Sequence, residues 1–403
     1  MNYLGELRVN WRSLLASTVG HGAGLAASAY IIGTFAPHLL AEFGWSKSDF
    51  ALLGTATLLT LVCLPIIGRL TDLFGVRRVA ITGVLFLPLS YLALSFFNGE
   101  LRVFIAITVL QVIFGTTTTS TVYSRLVAER FQNARGLGLA IMASGPAIVG
   151  AIGAPLLSNY IDTNGWRAAY QALAIFTACF GIIALFLIPP QEYPGTLPRS
   201  KRQARRDYKA IVRSPAFWVI AGGIFLCNIP QPLHGLQLKM MLLENGAGLS
   251  FASKLVSMYA VGVIIGRFVC GLALDRLPAH WVAAIGMGLP SIGMFVLASS
   301  IDTPWALASA VLLMGLSQGA EGDIAGYLVL RHFKVDIYSS VLGLVIAALG
   351  IGSAIGAGLL SLALKNTGGY DLYLVLTAIG VLIGSGLFLL LGRSNIGDRD
   401  IAG

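Results

Sequence analysis

Three ionisable side chains lie inside long apolar runs in the second half of the sequence, namely Arg267, Glu321 and Asp323. A charged group in a hydrocarbon layer costs about 2.5–3.5 kcal/mol on insertion scales, so each of them needs a partner or a function. With a helical rise of about 1.5 Å per residue, Arg267 lies about 12 Å from Asp275 in the following loop. By the same measure, Asp323 and Glu321 lie about 12 and 15 Å from Arg331. The opposite charges therefore lie at similar depths.

An arginine and carboxyl groups at that depth suit two kinds of chemistry. A guanidinium keeps its charge when it is dehydrated and can bind a carboxylate through two parallel hydrogen bonds. A carboxyl group held away from water can take up and release a proton. We therefore expect Arg267 to bind an anionic ligand and Asp323 and Glu321 to carry protons. A structural ion pair between Arg267 and one of the acids is the alternative.

Other polar side chains in the apolar runs could complete a site for a small molecule. They are Tyr30, His38, Tyr123, Asn228, Gln231 and His234. The last three, with Gln237, recur every three residues, and such a series drifts slowly around one face of a helix. Pro230 and Pro232 interrupt it and predict a broken helix beside a central cavity. For each histidine, a packing role as a hydrogen-bond donor is the alternative.

These side chains must be positioned by helices that cross a membrane. The chain has 403 residues, of which 56% are hydrophobic and 11% are charged, and its mean hydropathy is +0.80. A helix needs about 20 apolar residues to cross a hydrocarbon core of about 30 Å. Runs of this length predict an all-α membrane protein with twelve spans, at 14–40, 48–69, 79–97, 101–124, 136–158, 167–188, 215–240, 251–274, 280–300, 304–330, 338–364 and 370–392.

Lysine and arginine lie mainly on one side of these spans. Of the 27 cations, 20 fall in the segments on the side of the linker between the sixth and seventh spans, six fall on the opposite side, and Arg267 is within a span. Such an excess marks the cytoplasmic side, so both termini are predicted to be cytoplasmic. The first span has no small-residue cleavage site after it and is interpreted as a retained helix. Short loops favour a bacterial inner membrane as the location.

The motifs argue against several other classes of protein. The four cysteines, Cys63, Cys179, Cys227 and Cys270, lie within predicted spans and show no metal-ligand spacing, so we expect neither a metal nor another cofactor. No nucleophile triad, P-loop or metal cluster indicates an enzyme. The basic tract 199–213 fits an anionic membrane surface, and nucleic acid is not an expected partner. One chain is enough to form a path across the bilayer, so a monomer is expected to function.

The longest break between apolar runs divides the twelve spans into two sets of six. We therefore predict a six-helix bundle at 1–188, a cytoplasmic linker at 189–214 and a second six-helix bundle at 215–403. The loops support this division, because Gly68–Arg78 after the second span and Gly271–Arg276 after the eighth share a motif. Their aspartates lie 203 residues apart. A repeat of this kind predicts two bundles related by a pseudo-twofold axis.

The loop after the second span resembles the signature of the Major Facilitator Superfamily. The matching residues are Gly68, Asp72, Gly75, Arg77 and Arg78. The chain departs from the signature at Leu73, where an arginine usually follows the aspartate. The second copy keeps Asp275 and Arg276 but lacks the later glycine and paired cations. The resemblance covers the whole chain and implies the twelve-helix fold of that superfamily and transport by alternating access.

The same motif suggests a gate at the cytoplasmic side. An aspartate at a helix end can pair with arginines or face a helix N-terminus, and so hold helix ends together. We therefore expect the seven motif residues of both copies to act in gating. Plain topogenic charge at a tight turn is the alternative.

Within that superfamily the chain most resembles the monocarboxylate porters and the oxalate-formate antiporters. The features that carry this resemblance are Phe131 and Arg135-Gly136-Leu137 at the fifth span, Gly165-Trp166-Arg167 at the sixth, Ser214-Pro215-Ala216-Phe217-Trp218 at the seventh, and Arg267 in the eighth. In that family an eighth-span arginine contacts the substrate carboxylate, which implies this role for Arg267. His38 stands near a first-span lysine of some members. The eleventh span contains no lysine, which favours a monocarboxylate over a dicarboxylate.

The resemblance thus implies proton-coupled symport of a small organic acid, and three other functions stay open. The Gly145-Pro146 stretch of the fifth span weakly resembles an antiporter motif, which would suit proton-driven efflux of hydrophobic or cationic drugs. Exchange of organic anions would use the same arginine. A transporter-like sensor would bind its ligand without moving it.

Overall fold

The computed structural model describes residues 3–45, 57–189, 201–244, 248–299, 301 and 303–392. Within these ranges every regular element is a helix. A lipid environment favours this outcome, because a helix satisfies its backbone N–H and C=O groups within its own segment. Parts of four predicted segments lie outside the described residues: the start of the second span (48–56), most of the linker before its helix (190–200), the last residue of the ninth span (300) and the C-terminal residues 393–403.

The chain divides into two compact units. The first comprises Met1–Ser200 and Val335–Gly343, and the second comprises Lys201–Lys334 and Leu344–Gly403. The helix Tyr338–Thr367 therefore begins in the first unit and continues in the second. The domain boundaries placed at 188 and 215 from the sequence remain a prediction.

The first unit contains the first six spans, preceded by a short helix, Tyr3–Val9. The helices are Trp11–Gly22 and Leu25–Phe43 (first span), Thr60–Phe74 (second), Val76–Ser95 (third), Leu101–Gly115 and Ser120–Arg130 (fourth), and Arg135–Leu187 (fifth and sixth together). The last of these is bent at Gly165, whose φ of 82° and ψ of 158° suit glycine alone.

The second unit begins with the helix Lys201–Arg213, a stretch that contains neither proline nor glycine and is rich in arginine, lysine and alanine, which favour helices. The spans that follow are Pro215–Cys227 and Leu238–Glu244 (seventh), Leu249–Arg276 (eighth), Ala279–Leu297 (ninth), Pro304–His332 (tenth), Tyr338–Thr367 (eleventh) and Asp371–Leu387 (twelfth).

Seven of the described helical stretches are long and apolar enough to cross a membrane by themselves, or eight if the bent pair Arg206–Arg213 and Pro215–Cys227 counts as one span. One of the seven, Arg135–Leu187, contains two of the predicted spans. The tenth span is not among them, because polar side chains within it, such as Gln318, lower its hydropathy.

The first and fourth spans, predicted at 14–40 and 101–124, each consist of two helices with an interruption between them. The first span breaks at Ala23 and Gly24, and the fourth passes through a 3-10 turn, Thr116–Thr118. The two breaks touch, because the Thr118 hydroxyl accepts a hydrogen bond from the Leu25 N–H at 3.0 Å. A Cβ at Gly24 would stand 2.5 Å from the Thr118 carbonyl oxygen. The hydroxyl satisfies an N–H group that a helix start leaves without an intrahelical partner.

Aromatic side chains fix one end of the first unit. Phe43, at the end of the first span, packs edge-on against Phe97 and Trp166, with ring centroids 5.2 and 5.7 Å apart. Beside them, Glu42 accepts hydrogen bonds from the Trp166 indole and from Arg167, the latter at 2.7 Å. These contacts join the ends of the first, third and sixth spans.

The short helix Tyr3–Val9 is fixed by one buried acid. Glu6 is 3% exposed, and its carboxylate accepts hydrogen bonds from the backbone N–H groups of Gln132, Asn133 and Ala134 at 2.6, 2.8 and 2.9 Å. Those amides belong to the loop between the fourth and fifth spans. The carboxylate therefore satisfies three backbone donors at the start of the fifth span.

Candidate functional site

The eighth and tenth spans approach each other through glycine. A Cβ at Gly266 would stand 2.0 Å from the carbonyl oxygen of Leu316, and a Cβ at Gly319 would stand 1.9 Å from that of Val263. Neither position has room for a side chain, so the two backbones are in contact. This contact fixes the position of the side chains that flank it.

Arg267 follows one of these glycines and reaches toward the tenth span. Its Nε lies 3.4 Å from the carbonyl oxygen of Gly319 and 3.9 Å from Oδ2 of Asp323. The second distance makes an ion pair but is too long for a hydrogen bond. Among the described residues, Oδ2 of Asp323 has no hydrogen-bond partner. The Asp323 side chain is 2% exposed and that of Arg267 is 18% exposed.

Glu321 lies in a separate polar cluster. Its carboxylate accepts a hydrogen bond from the side-chain amide of Gln318 at 3.0 Å, and the Asn228 side chain lies within hydrogen-bonding range. Arg267 is near enough to act on it electrostatically. Of the two predicted acids, Asp323 is thus the one in ion-pair contact with the arginine, and Glu321 links the tenth span to the seventh.

The seventh span is broken where its prolines predict a break. The helix ends at Cys227 and resumes through a π-helical turn, Leu233–Gln237. The intervening segment is not a regular α-helix, and around it Asn228 and His234 are buried and Gln231 is half-buried.

Two polar atoms at this break have no hydrogen-bond partner among the described residues, Asn228 Oδ1 and His234 Nε2. The amide nitrogen of Asn228 donates to the carbonyl oxygen of Ile224 at 2.8 Å. The His234 ring lies 6.1 Å from that of Tyr259 in the eighth span, with Gln318 in hydrogen-bonding range. A buried polar atom without a partner is costly, so the break presents two groups that a ligand or water could satisfy.

The twelfth span supports the break from the other side. The Tyr373 hydroxyl donates to the carbonyl oxygen of Ile229 at 2.9 Å. In a regular helix that carbonyl would accept from the Leu233 N–H, which here donates to Pro230 instead. The Tyr370 hydroxyl donates to Oε1 of Gln237 at 2.9 Å.

The three candidates in the first unit have separate partners. Tyr123 is fully buried, and its ring lies 2.2 Å from where a Cβ on Gly20 would stand. Tyr30 is 53% exposed and packs over Gly150. His38 is half-exposed, with its Nε2 at 3.6 Å from Oδ1 of Asp162. The contacts of these three side chains do not join them into one cluster.

The loop motif forms a compact polar contact within the first unit. Asp72 pairs with Arg125 of the fourth span, and its side chain has no exposed surface. The carboxylate also accepts hydrogen bonds from the backbone N–H groups of Ser339 at 3.0 Å and Ser340 at 2.7 Å. A Cβ at Gly68 would stand 2.1 Å from the Ser339 carbonyl oxygen. The motif aspartate therefore faces the N-terminal turn of the eleventh span, where a negative charge is favourable.

The remaining motif residues have different surroundings. Gly75 ends the second span with φ 80° and ψ 162°, a backbone conformation suited to glycine. Arg77 and Arg78 are exposed. In the second copy, Asp275 is half-buried and Arg276 is exposed.

Sequence reasoning missed three kinds of site residue. Gln318 is a polar residue inside an apolar run, next to Ser317, and this pattern could have identified it from the sequence. Arg125 is the partner of Asp72 but lies 53 residues away, so no local pattern identifies it. Ser339 and Ser340 contribute backbone N–H groups, which carry no signature in side-chain sequence. Among the described residues no group of three or more His, Cys, Asp or Glu side chains could hold a metal ion.

Long apolar helices with an ion pair between two of them indicate a polytopic membrane protein. The sequence model of the Major Facilitator Superfamily matches residues 22–233 and 233–400, and the chain belongs to this family. The twelve-helix fold of this superfamily, expected from the sequence, is confirmed.

The chain is similar to transporters of several kinds. It is 25% identical over 381 residues to human monocarboxylate transporter 11, which covers 90% of this chain and 78% of that protein. It is 24% identical over 367 residues to the fujikurins efflux protein of Gibberella fujikuroi, which covers 86% of this chain and 74% of that protein. The solved structure of the E. coli fucose:proton symporter matches with a TM-score of 0.74 at 15% identity, over 95% of this chain and 98% of that one. That likeness shows the fold alone.

Proposed function

We propose that this protein carries a small monocarboxylate across the membrane together with a proton, by alternating access. The observation that supports this most directly is the contact between Arg267 and Asp323, 3.9 Å apart on two helices packed backbone to backbone. The similarity to a human monocarboxylate transporter supports the same substrate class.

Arg267 is the proposed anchor for the substrate carboxylate. Its Nε is too far from Oδ2 of Asp323 for a hydrogen bond, so the ion pair is not at its strongest geometry. A carboxylate that accepts two parallel hydrogen bonds from the guanidinium would bind more strongly than Asp323 does.

Asp323 is the proposed proton carrier. With Arg267 engaged by the substrate anion, Asp323 would be left as a buried carboxylate without a partner, which is strongly unfavourable. Binding a proton removes that charge, so proton and substrate stabilise each other's binding. When both leave, the ion pair with Arg267 forms again. One anion and one proton then move together without net charge.

Glu321 and the broken seventh span are proposed to complete the substrate site. Asn228 Oδ1 and His234 Nε2 can hydrogen-bond a substituent of the substrate, while Glu321 holds Gln318 and Asn228 in position. The motif residues around Asp72 are proposed to act in gating, because the carboxylate holds the first turn of the eleventh span.

The test is uptake of labelled monocarboxylates into proteoliposomes, with and without an inward proton gradient. We expect gradient-stimulated uptake that does not respond to membrane potential. Arg267→Ala should lower uptake by at least about tenfold, because a bidentate charged contact is lost. Lys254→Ala is the matched control, since Lys254 is an exposed cation of the same helix, and it should leave uptake unchanged.

Asp323→Asn separates proton coupling from substrate binding. This variant should lose stimulation by the gradient and keep exchange of labelled for unlabelled substrate. If no monocarboxylate is moved under any condition, or if Asp323→Asn responds to the gradient as the wild type does, the proposal is wrong.

One observation favours a second candidate, the efflux of a hydrophobic compound. The first unit contains an apolar cavity of about 610 Å³ lined by the first, third, fifth and sixth spans, including Ile31, Leu156 and Phe176. A fungal efflux protein is also among the similar proteins. Proton-driven extrusion of a hydrophobic cation from the same proteoliposomes tests this reading. Leu173→Trp, which fills the cavity, should then block extrusion.

The orientation and location belong to the same proposal. The charge bias of the loops supports cytoplasmic termini, and the short loops support a bacterial inner membrane as the location. A single chain is proposed to be the working unit, with the organic acid, the proton and the lipid bilayer as its partners.

A further inference from the structure

We propose that the helix Lys201–Arg213 is a binding surface for the headgroups of anionic phospholipids. This inference rests on the geometry of that helix and does not depend on the substrate of the transporter.

The direction of the helix places it along the membrane surface. The pair Arg206–Arg213 and Pro215–Cys227 is bent by 69°. Pro215–Cys227 is the first half of the seventh span, and membrane spans tilt on average about 20° from the bilayer normal. A helix bent this far from a span runs closer to the plane of the membrane than to its normal.

An indole fixes the helix at the level of the membrane interface. The Trp218 Nε1 donates to the carbonyl oxygen of Val212 at 2.7 Å, across the bend. Trp218 is 59% exposed and Val212 is 49% exposed, whereas Ile211 is 1% exposed. Tryptophan concentrates where the headgroups meet the acyl chains, because its ring is apolar and its N–H is polar. The exposed Trp218 and Val212 thus suit the boundary of the acyl region, while Ile211 attaches the helix to its own unit.

The charges of the helix select an anionic partner. Arg206, Lys209 and Arg213 are exposed, and their spacing of three and four residues places them on one side of the helix. The helix as a whole has six cations and one acid, Asp207. On a helix along the membrane plane, the cations can contact anionic headgroups while the exposed apolar side chains reach the acyl boundary. A soluble polyanion could contact the cations but would leave the apolar side chains exposed to water.

Lipid binding to the full-length protein in uncharged detergent tests the proposal. Native mass spectrometry would follow adducts during titration with phosphatidylglycerol or phosphatidylcholine. We expect the wild type to bind phosphatidylglycerol preferentially, and Arg206→Gln/Lys209→Gln/Arg213→Gln to lower that affinity by at least about tenfold. The control variant Lys239→Gln/Lys254→Gln/Lys365→Gln removes three exposed cations elsewhere in the sequence and should bind as the wild type does.

Competition with inorganic phosphate and the three single variants complete the experiment. Inorganic phosphate should not displace the lipid, and displacement at comparable concentration would overturn the proposal in favour of a soluble anion. The three single variants serve if the triple variant does not fold, and each should weaken binding about two- to fivefold. Equal binding of the two lipids by the wild type, or undiminished binding by the variants, also contradicts the proposal.

Discussion

The carboxylate of Asp72 accepts a hydrogen bond from the backbone N–H of Ser340 at 2.7 Å, although the two residues are 268 positions apart. Ser340 lies in the first turn of the eleventh span, where backbone N–H groups have no partner within the helix. The acid therefore caps a helix whose sequence is remote from its own. This contact gives the loop motif a structural role that can be measured without knowing the substrate.

Asp72→Asn should lower the free energy of unfolding in detergent by about 1–3 kcal/mol, because it removes one of the two carboxylates paired with the buried Arg125 and leaves only Glu129. It also weakens the hydrogen bonds that the carboxylate accepts from the first turn of the eleventh span. Arg78→Gln, which changes an exposed cation of the same motif, should stay within about 0.5 kcal/mol of the wild type. Chemical denaturation measures both. Equal stability of the two variants would show that Asp72 contributes only topogenic charge.

Gly75→Ala should destabilise the protein by about 1–3 kcal/mol, since only glycine adopts φ 80° and ψ 162° without strain. The control is Gly358→Ala, where an added Cβ would have no neighbour within 4 Å among the described residues. Because alanine favours a helix, the control should be neutral or slightly stabilised. Thermal unfolding in micelles compares the two.

Gly319→Ala should destabilise the protein by about 1–3 kcal/mol and lower transport, because the new Cβ overlaps the Val263 carbonyl oxygen and separates the eighth and tenth spans. Gly322→Ala on the same helix adds a Cβ in open space and should be tolerated. The measurements are thermal unfolding and uptake into proteoliposomes. Identical behaviour of the two variants would contradict the close contact.

Glu6→Gln should increase hydrogen exchange at the amides of Gln132, Asn133 and Ala134, because a neutral amide oxygen cannot replace a carboxylate that accepts all three. The expected loss of stability is about 1–3 kcal/mol. Glu100→Gln, an exposed acid at the start of the fourth span, is the control and should leave exchange at these amides unchanged. Unchanged hydrogen exchange at these amides in Glu6→Gln would contradict the proposed capping role of Glu6.

The positions of the spans could be predicted because the requirement for long apolar runs is local. The breaks could not all be predicted. Pro230 and Pro232 predict the break in the seventh span, since proline cannot donate a backbone hydrogen bond. In the first span, Gly24 and its neighbours give no such signal, because glycine is common within membrane helices that pack closely. The break there depends on the Thr118 hydroxyl, a tertiary contact.

The sequence predicts the depth of the candidate site residues along their helices, but it does not predict which acid pairs with Arg267. Counting residues from the loops places Arg267 and Asp323 at one level, and the structure puts them 3.9 Å apart. The same counting cannot say which of two neighbouring acids faces the arginine, because that depends on how the tenth helix is turned. The turn is fixed by Gly319, through a contact that side-chain chemistry does not reveal.

The contact of the eighth and tenth spans also limits how the second unit can move. Sliding one helix along the other by a single residue, about 1.5 Å, would bring a residue that carries a Cβ to a position with room only for glycine. We therefore expect the two helices to move together, with the backbones of Arg267 and Asp323 at a constant separation. The ion pair would then separate by rotation of the side chains. We expect bending within this unit at the segment between Cys227 and Leu233, where the regular helix is interrupted.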